Sequence, residues 1–396
     1  MYKEPYHFSL QRFIEPEQFE ALKDYVSDLP TPVLLIDVEK IRQKYRELNQ
    51  SFPMAQIYYA VKANPQDSVV NMLESEGSNF DIASRYELDQ MLRLGISPDR
   101  LSYGNTIKKP SDIKYFYDHG VRMFVTDSEN DLKNISLLAP GSRILFRILT
   151  EGTGADWPLS RKFGSHSDVI YYLILQAQQL GLQPYGISFH VGSQQRDIGQ
   201  WDDAIARCKY LFDAAWEEGI ELKMINLGGG FPASYVDPTY GVAEYAAEIL
   251  RFIEEDFGDN MPQLILEPGR SLVADCGIIV SEIINITRKS KNNLYLWVYL
   301  DVGKFGGMIE TIDESIKFPI YFDREGMADE IILAGPTCDS MDILYENYKY
   351  HMPDTAMPGD KVYIFTTGAY TQSYSSVNFN GFPPLRAEIL PKHIRL

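Results

Sequence analysis

Segments of strand formers alternate with amphipathic stretches for more than two hundred residues, and the chemically capable side chains fall where the strands end. Strand candidates begin near Ile57, Asn79, Leu101, Arg122, Arg143, Tyr185, Leu222 and Gln263. Between them, Asp168 to Leu180 and Ile198 to Trp216 repeat apolar residues at three- and four-residue steps, as a helix with one buried face does. Eight such strands admit either a (β/α)8 barrel or an open, doubly wound sheet. Lys62, Asp81, Arg147, His190, Gly228 and Glu267 all lie at or just past C-terminal strand ends. A barrel gathers those ends on one face, whereas an open sheet strings them along a crevice. A TIM-like α/β barrel is therefore the expected fold.

After Arg270 the alternation stops. Gly277-Ile278-Ile279-Val280, Leu294 to Leu300, Glu330 to Ala334 and Lys361 to Thr366 read as strands without long helices between them. A second, mostly β domain is expected, and the early run Thr31 to Ile36 is read as a strand joining it. A chain of 396 residues is long enough for two cores. The expected division is a barrel over 35–272 and a β domain built from 1–34 and 273–396.

Composition narrows the partners. With 45% hydrophobic and 23% charged residues the chain reads as a folded globular protein. A net charge of −18 argues against nucleic acid and anionic membrane. Cys208, Cys276 and Cys338 are too few and too scattered for a disulfide framework. The start, Met1-Tyr2-Lys3-Glu4-Pro5, has no apolar signal core and no segment is long enough to span a membrane, so a cytoplasmic location is expected.

The motifs point to one kind of chemistry. Ile57 to Val61 delivers Lys62 to a strand end with apolar residues behind it, where an amine can be desolvated into a Schiff-base nucleophile; a solvated junction lysine is the plain alternative. Gly228-Gly229-Gly230 follows the seventh strand and exposes backbone N–H groups, as a phosphate requires, although a tight turn alone would look the same. Gly269 and Arg270 follow the eighth strand, adding a guanidinium at the second of the two loops where barrels hold phosphates. Glu267 is either an ion-paired strand end or a carboxylate that keeps a pyridine nitrogen protonated. His190, before Gly192 and Ser193, is either a satisfied core histidine or a face on which a flat ring stacks. Cys338 stands beside Asp339 and Asp342, polar company that an inert buried thiol seldom keeps. The six histidines form no metal motif, and no metal is expected. Together the parts suit pyridoxal 5'-phosphate, with a cysteine hydrolase as the minor alternative.

Tyr59-Ala60-Val61-Lys62-Ala63-Asn64, His190-Val191-Gly192-Ser193, Gly228-Gly229-Gly230-Phe231-Pro232, Glu267-Pro268-Gly269-Arg270, Gly335-Pro336-Thr337-Cys338-Asp339 and Gly368-Ala369-Tyr370-Thr371 resemble the alanine-racemase-fold (fold type III) pyridoxal-phosphate decarboxylases, above all the ornithine and lysine enzymes. The resemblance runs from about Thr31 to about Pro384 and implies a homodimer in which the Cys338-Asp339 segment serves the partner's active site. By the same resemblance Lys62 carries the coenzyme, Glu267 meets its ring nitrogen, and His190 stacks on the ring. Ser193, Gly230, Arg270 and Tyr370 hold the phosphate, with Gly228, Gly229 and Gly269 shaping its loops, while Asp81 and Glu87 match acidic positions near the lysine. Cys338 returns a proton to Cα, and Asp339 meets the distal amine of the substrate. Where ornithine decarboxylases carry a Tyr-Asp pair for that amine, this chain reads Asp313-Glu314.

The implied reaction is decarboxylation of a basic L-amino acid in polyamine biosynthesis, L-ornithine to putrescine first. Lysine or dual lysine/ornithine decarboxylation, giving cadaverine, is the alternative. Diaminopimelate and arginine decarboxylases rank lower, as does a non-catalytic regulator of the antizyme-inhibitor kind. Racemisation ranks lower too, because the resembling racemases place arginine where Glu267 stands.

Overall fold

The computed structural model describes residues 3–157, 162–291 and 295–396. The chain divides into two compact units. One comprises Lys44–Pro232 and Thr239–Ser271; the other comprises the residues up to Gln43, Ala233–Pro238 and Leu272–Leu396.

The first unit is a closed parallel barrel of Ala55–Ala60, Asn79–Ile82, Leu101–Tyr103, Met123–Thr126, Arg143–Arg147, Gln183–Ser188, Met224–Asn226 and Gln263–Leu266. The last strand closes on the first through Leu264–Leu266 against Ala55–Ile57. These are the eight strands expected from the alternation. Side chains from alternate positions meet inside as an apolar layer of Tyr58, Met123, Val125, Leu145, Met224 and Ile265. One pleat nearer the C-terminal ends, the registers Ala60↔Asp81 and Asp81↔Ser102 place the inward positions level with one another. On the other side of the barrel, Arg147↔Ser188 and Ser188↔Asn226 do the same. The apolar layer thus gives way to a polar one at the mouth, which is where chemistry sits in this architecture.

Helices cover the barrel because their apolar faces match the outward strand residues. Helix Ser167–Gln179 buries Ile170, Leu173, Ile174 and Ala177, and Gly199–Glu217 buries Trp201, Ala204, Ile205, Cys208, Leu211 and Ala215. Each large side chain removed from water contributes about 1.5–3 kcal/mol. One element lacked a sequence signal: the antiparallel ribbon of Ala155–Trp157 and Ser193–Gln195, too short for periodicity to reveal.

The second unit is a mixed eight-stranded sheet. Its spine is Gly277–Thr287, antiparallel to Val33–Ile36, Lys361–Phe365 and Leu296–Leu300. Leu296–Leu300 runs parallel to Ala328–Ala334, and Ile343–Pro353 completes that side. Leu294, where a strand was expected to begin, lies outside the described residues. Helix Pro16–Val26 presses Phe19, Leu22 and Val26 onto Val33, Leu35, Ile278, Val280 and Tyr363 to form the core.

Candidate active site

Lys62 stands in the tight turn Val61–Ala63 directly after the first barrel strand. The turn is held firmly: the Ala60 N–H donates to Pro268 O (3.0 Å) and the Tyr59 hydroxyl donates to Asn64 O (2.9 Å). The Lys62 side chain is exposed in the single chain rather than buried as the apolar strand behind it suggests. Charged neighbours surround it, and its ammonium pulls down the carboxyls of Asp81 and Glu87 and the imidazole of His190.

Asp81 is buried, and its Oδ1 has no hydrogen-bond partner among the described residues. Burial and the negative charge of Glu267 hold its carboxyl well above the usual carboxylate range, against the pull of Lys62 and Arg147. Glu87 has a different task. Its carboxylate accepts the Ala83 N–H (2.6 Å) while Ser84 Oγ accepts the Glu87 N–H (3.3 Å), a reciprocal cap on helix Arg85–Arg93.

The raised Asp81 carboxyl makes a sign-definite prediction for the coenzyme-free protein. Below the unfolded carboxyl value, about 3.9, both states hold the proton and Asp81 costs nothing. As pH rises above it, the unfolded state ionises first and the cost to stability grows until the folded carboxyl also ionises. Asp81→Asn therefore raises the melting temperature more at about pH 8 than at about pH 4. Equal shifts at both pH values in thermal melts would refute the assignment.

Glu267 lies just past the eighth strand, and its Oε1 accepts a hydrogen bond from Asn226 Nδ2 at 2.5 Å. Asn226 Oδ1 in turn accepts the Gly228 N–H at 2.9 Å, so one amide orients both the carboxylate and the glycine loop. His190 accepts the Gly192 N–H on Nδ1 at 3.1 Å, which leaves Nε2 to carry the proton. Burial, with the positive charges of Arg147 and Lys62, pushes its pKa well below the usual histidine value, so the ring is a neutral plate.

The phosphate-compatible loops meet closely. Arg270 donates to Ser193 Oγ from Nε (3.2 Å) and Nη2 (3.0 Å), and both residues are buried. A Cβ on Gly228 (φ +66°) would sit 2.2 Å from Phe189 O, and one on Gly230 (φ +97°) would sit 2.5 Å from Gly192 O. Gly229 would meet Glu267 O at 2.5 Å. Only glycines let this loop lie against the His190 turn. Behind it Phe231, Trp201 and Tyr245 pack ring on ring, and the Tyr245 hydroxyl donates to Gln195 O (2.9 Å). Gly269 is buried immediately before Arg270.

The remaining expected residues belong to the β unit. Tyr370 is half-buried with φ +54° after strand Lys361–Phe365. Cys338 is exposed at the tip of the turn after Ala328–Ala334, and Asp339 beside it is half-buried. Asp313 is exposed with φ +52°. Glu314 is already engaged by backbone. Its carboxylate accepts the N–H groups of Glu346 (2.7 Å), Asn347 (2.7 Å) and Tyr348 (2.8 Å). Burial pushes that carboxyl up, but the three amides outweigh it and leave it below its ordinary value. The Asp313-Glu314 pair is thus one exposed carboxylate and one structural clasp.

Two residues of the barrel mouth were not assigned from the sequence. Asn226 was signalled by its place two residues before a glycine run, the spacing of an Asx turn. Arg147 was noted at a strand end without a task. Its guanidinium lies over the Phe163 ring (4.9 Å) and feels Glu267, Asp127 and Asp81.

Residues 38–274 match the family model described as pyridoxal-dependent decarboxylase, pyridoxal binding domain. The chain belongs to this family. It is a pyridoxal-phosphate-dependent carboxy-lyase. The chain is 30% identical to a lysine/ornithine decarboxylase of Selenomonas ruminantium, covering 92% of this chain and 90% of the relative. It is 32% identical to the ornithine decarboxylase of Schizosaccharomyces pombe, covering 88% and 82%. The crystal structure of a lysine/ornithine decarboxylase from Vibrio vulnificus complexed with putrescine superposes with a TM-score of 0.86 at 28% identity, covering 95% of this chain and 99% of that one.

The barrel residues fit the coenzyme of this decarboxylase family. A guanidinium and a hydroxyl meet a cradle that any Cβ would fill, an oriented carboxylate and a neutral imidazole share one mouth, and an amine follows the first strand. Among the described residues no group of three or more His, Cys, Asp or Glu is placed to hold a metal ion. No described helix is long and apolar enough to cross a membrane.

Proposed function

We propose that this enzyme decarboxylates a basic L-amino acid, L-ornithine to putrescine first and L-lysine to cadaverine as the alternative. The observation that carries the reading is the Asn226-oriented Glu267 carboxylate beside the glycine loop. Bound pyridoxal 5'-phosphate supplies the electron sink for the pair left behind when CO2 departs. Lys62 is the amine that would hold the coenzyme's aldehyde. Glu267 holds a proton at the ring nitrogen, and the neutral His190 ring covers one face without competing for that proton. Arg270, Ser193, Gly230 and Tyr370 hold the phosphate, with Gly228, Gly229 and Gly269 giving the backbone room. Cys338 delivers a proton to Cα, and Asp313 with Asp339 holds the distal ammonium; Glu314 serves by fixing the backbone next to Asp313.

The working form is a homodimer in which Cys338 and Asp339 serve the partner's barrel. In support, the β unit carries an apolar hollow of about 370 Å³ lined by Phe305, Phe379, Phe382 and Pro383, next to the Cys338 loop, suited to burial against a second copy. An exposed carboxylate at Asp313 favours a distal ammonium over the distal carboxylate of diaminopimelate. Ornithine and lysine differ by one methylene, which such a site discriminates by about 1–3 kcal/mol.

The test is CO2 release from ornithine, lysine, arginine and diaminopimelate under one set of conditions. Ornithine should give the highest kcat/KM, with lysine within about two hundredfold of it. Turnover of diaminopimelate alone would overturn the substrate assignment, and turnover of none would favour a regulatory relative.

A further inference from the structure

The loop that displays Cys338 is built around a carboxylate to which nothing above gives a role. Asp342 is buried, yet it sits in an eight-residue turn whose tip is exposed. Its Oδ2 accepts the Thr337 N–H (3.0 Å) and the Thr337 hydroxyl (2.7 Å), one residue before Cys338. Its Oδ1 accepts the Lys304 N–H (2.8 Å) from a different loop. The backbone closes the turn as well, with the Gly335 N–H donating to Asp342 O (2.8 Å) and the Asp342 N–H donating to Asp339 O (3.1 Å).

Two glycines make room for this carboxylate. A Cβ on Gly335 would lie 2.4 Å from both of its oxygens, and one on Gly303 would lie 2.2 Å from Oδ1. A third loop holds the front of the turn. Asn380 Oδ1 accepts the Cys338 N–H (3.0 Å), Phe379 packs on Phe305 (4.6 Å between centroids), and the Ser376 N–H donates to Phe305 O (2.9 Å). Cys338 is therefore pinned through its own amide from one side and through Thr337 from the other; Asp342 ties the turn to the 303–304 loop, and Phe305 ties that loop to the one carrying Asn380. An ordinary loop staple needs one or two backbone partners. Here a buried charge satisfied by three donors excludes side chains at two positions and ends beside the one exposed thiol of the chain.

We propose that Asp342 is a positioning residue that sets the direction and reach of the Cys338 thiol. The proposal rests on the reading of Cys338 as the proton donor. Asp342 touches neither substrate nor coenzyme in this role; it acts through Thr337 and the 303–307 loop. Delivery of a proton to one carbon requires the donor to be held within hydrogen-bond reach, and a displacement of about 1 Å costs on the order of a hundredfold.

The experiment uses the holoenzyme and four variants, Asp342→Asn, Gly335→Ala, Thr337→Val and Cys338→Ala. The first three are read by kcat, by coenzyme absorbance, and by the rate at which iodoacetamide alkylates Cys338, followed by peptide mass spectrometry; Cys338→Ala is read by kcat and coenzyme absorbance. Cys208 and Cys276 are buried and serve as internal controls. Asp342→Asn should lower kcat by about tenfold or more and change the alkylation rate of Cys338 by at least about threefold, with coenzyme absorbance retained. Gly335→Ala should do the same with the carboxylate still present, because its Cβ evicts it. Thr337→Val, which removes only the hydroxyl bond, should shift both readings in the same direction by less, and it decides the matter if the other two fail to fold. Parent-like kcat and alkylation in the folded variants, with Cys338→Ala inactive, overturn the positioning role and leave the thiol's role intact. Full activity of Cys338→Ala overturns the reading beneath the proposal, and the proposal with it.

Discussion

Lys62→Ala should abolish the visible absorbance of the bound coenzyme and lower turnover by on the order of 10³-fold or more, since among the described residues no other amine directly follows a barrel strand. The loss is expected to be chemical rather than structural. Lys62 is exposed, and the turn that carries it is held by backbone and tyrosine bonds that do not involve its side chain. Absorbance and kcat are the measurements. Retention of either at more than about a tenth of the parent value would remove the tethering role. A thermal melt within a few degrees of the parent would show that the fold survives.

Glu267→Gln should be nearly as damaging, lowering kcat by about 10²- to 10³-fold, equivalent to about 3–4 kcal/mol. A glutamine keeps the oxygen that accepts from Asn226 Nδ2, so the side chain stays in place and only its charge is lost. That separates charge from geometry. Asn226→Ala leaves the charge but frees the carboxylate to turn, and should cost about tenfold, the worth of one hydrogen bond to an ionised group. Steady-state kinetics at saturating substrate decide between the two. A Glu267→Gln enzyme within about fivefold of the parent would show that ring protonation does not depend on this carboxylate.

The barrel was legible because its strands and helices differ in hydrophobic period and because its functional side chains lie in sequence just past strand ends. Ile57 to Val61 with Lys62, and Gln263 to Leu266 with Glu267, are local signals that folding simply gathers. The glycine run 228–230 was visible too, though the reason for each glycine was not. Phe189 O, Glu267 O and Gly192 O occupy the places where their Cβ atoms would go, and those atoms come from elsewhere in the chain.

Other roles belong to contacts distant in sequence. Glu314 reads as a carboxylate beside Asp313, yet its oxygens accept three amides from residues 346 to 348. Asp342 reads as one more acid after Cys338 until Lys304 and Gly303 are brought against it. Lys62 reads as an amine backed by apolar strand residues, but in the turn Val61–Ala63 it is exposed.

The sequence alone made legible a strand–helix barrel with an amine, a glycine run and a carboxylate at strand ends. Hydrophobic period and strand-end position are local properties, and one chain carries them without reference to its fold. Which acids stay open to a ligand and which hold backbone follows from contacts made on folding. A carboxylate's task depends on the donors around it, and the deciding ones for Glu314 and Asp342 include residues more than thirty positions away.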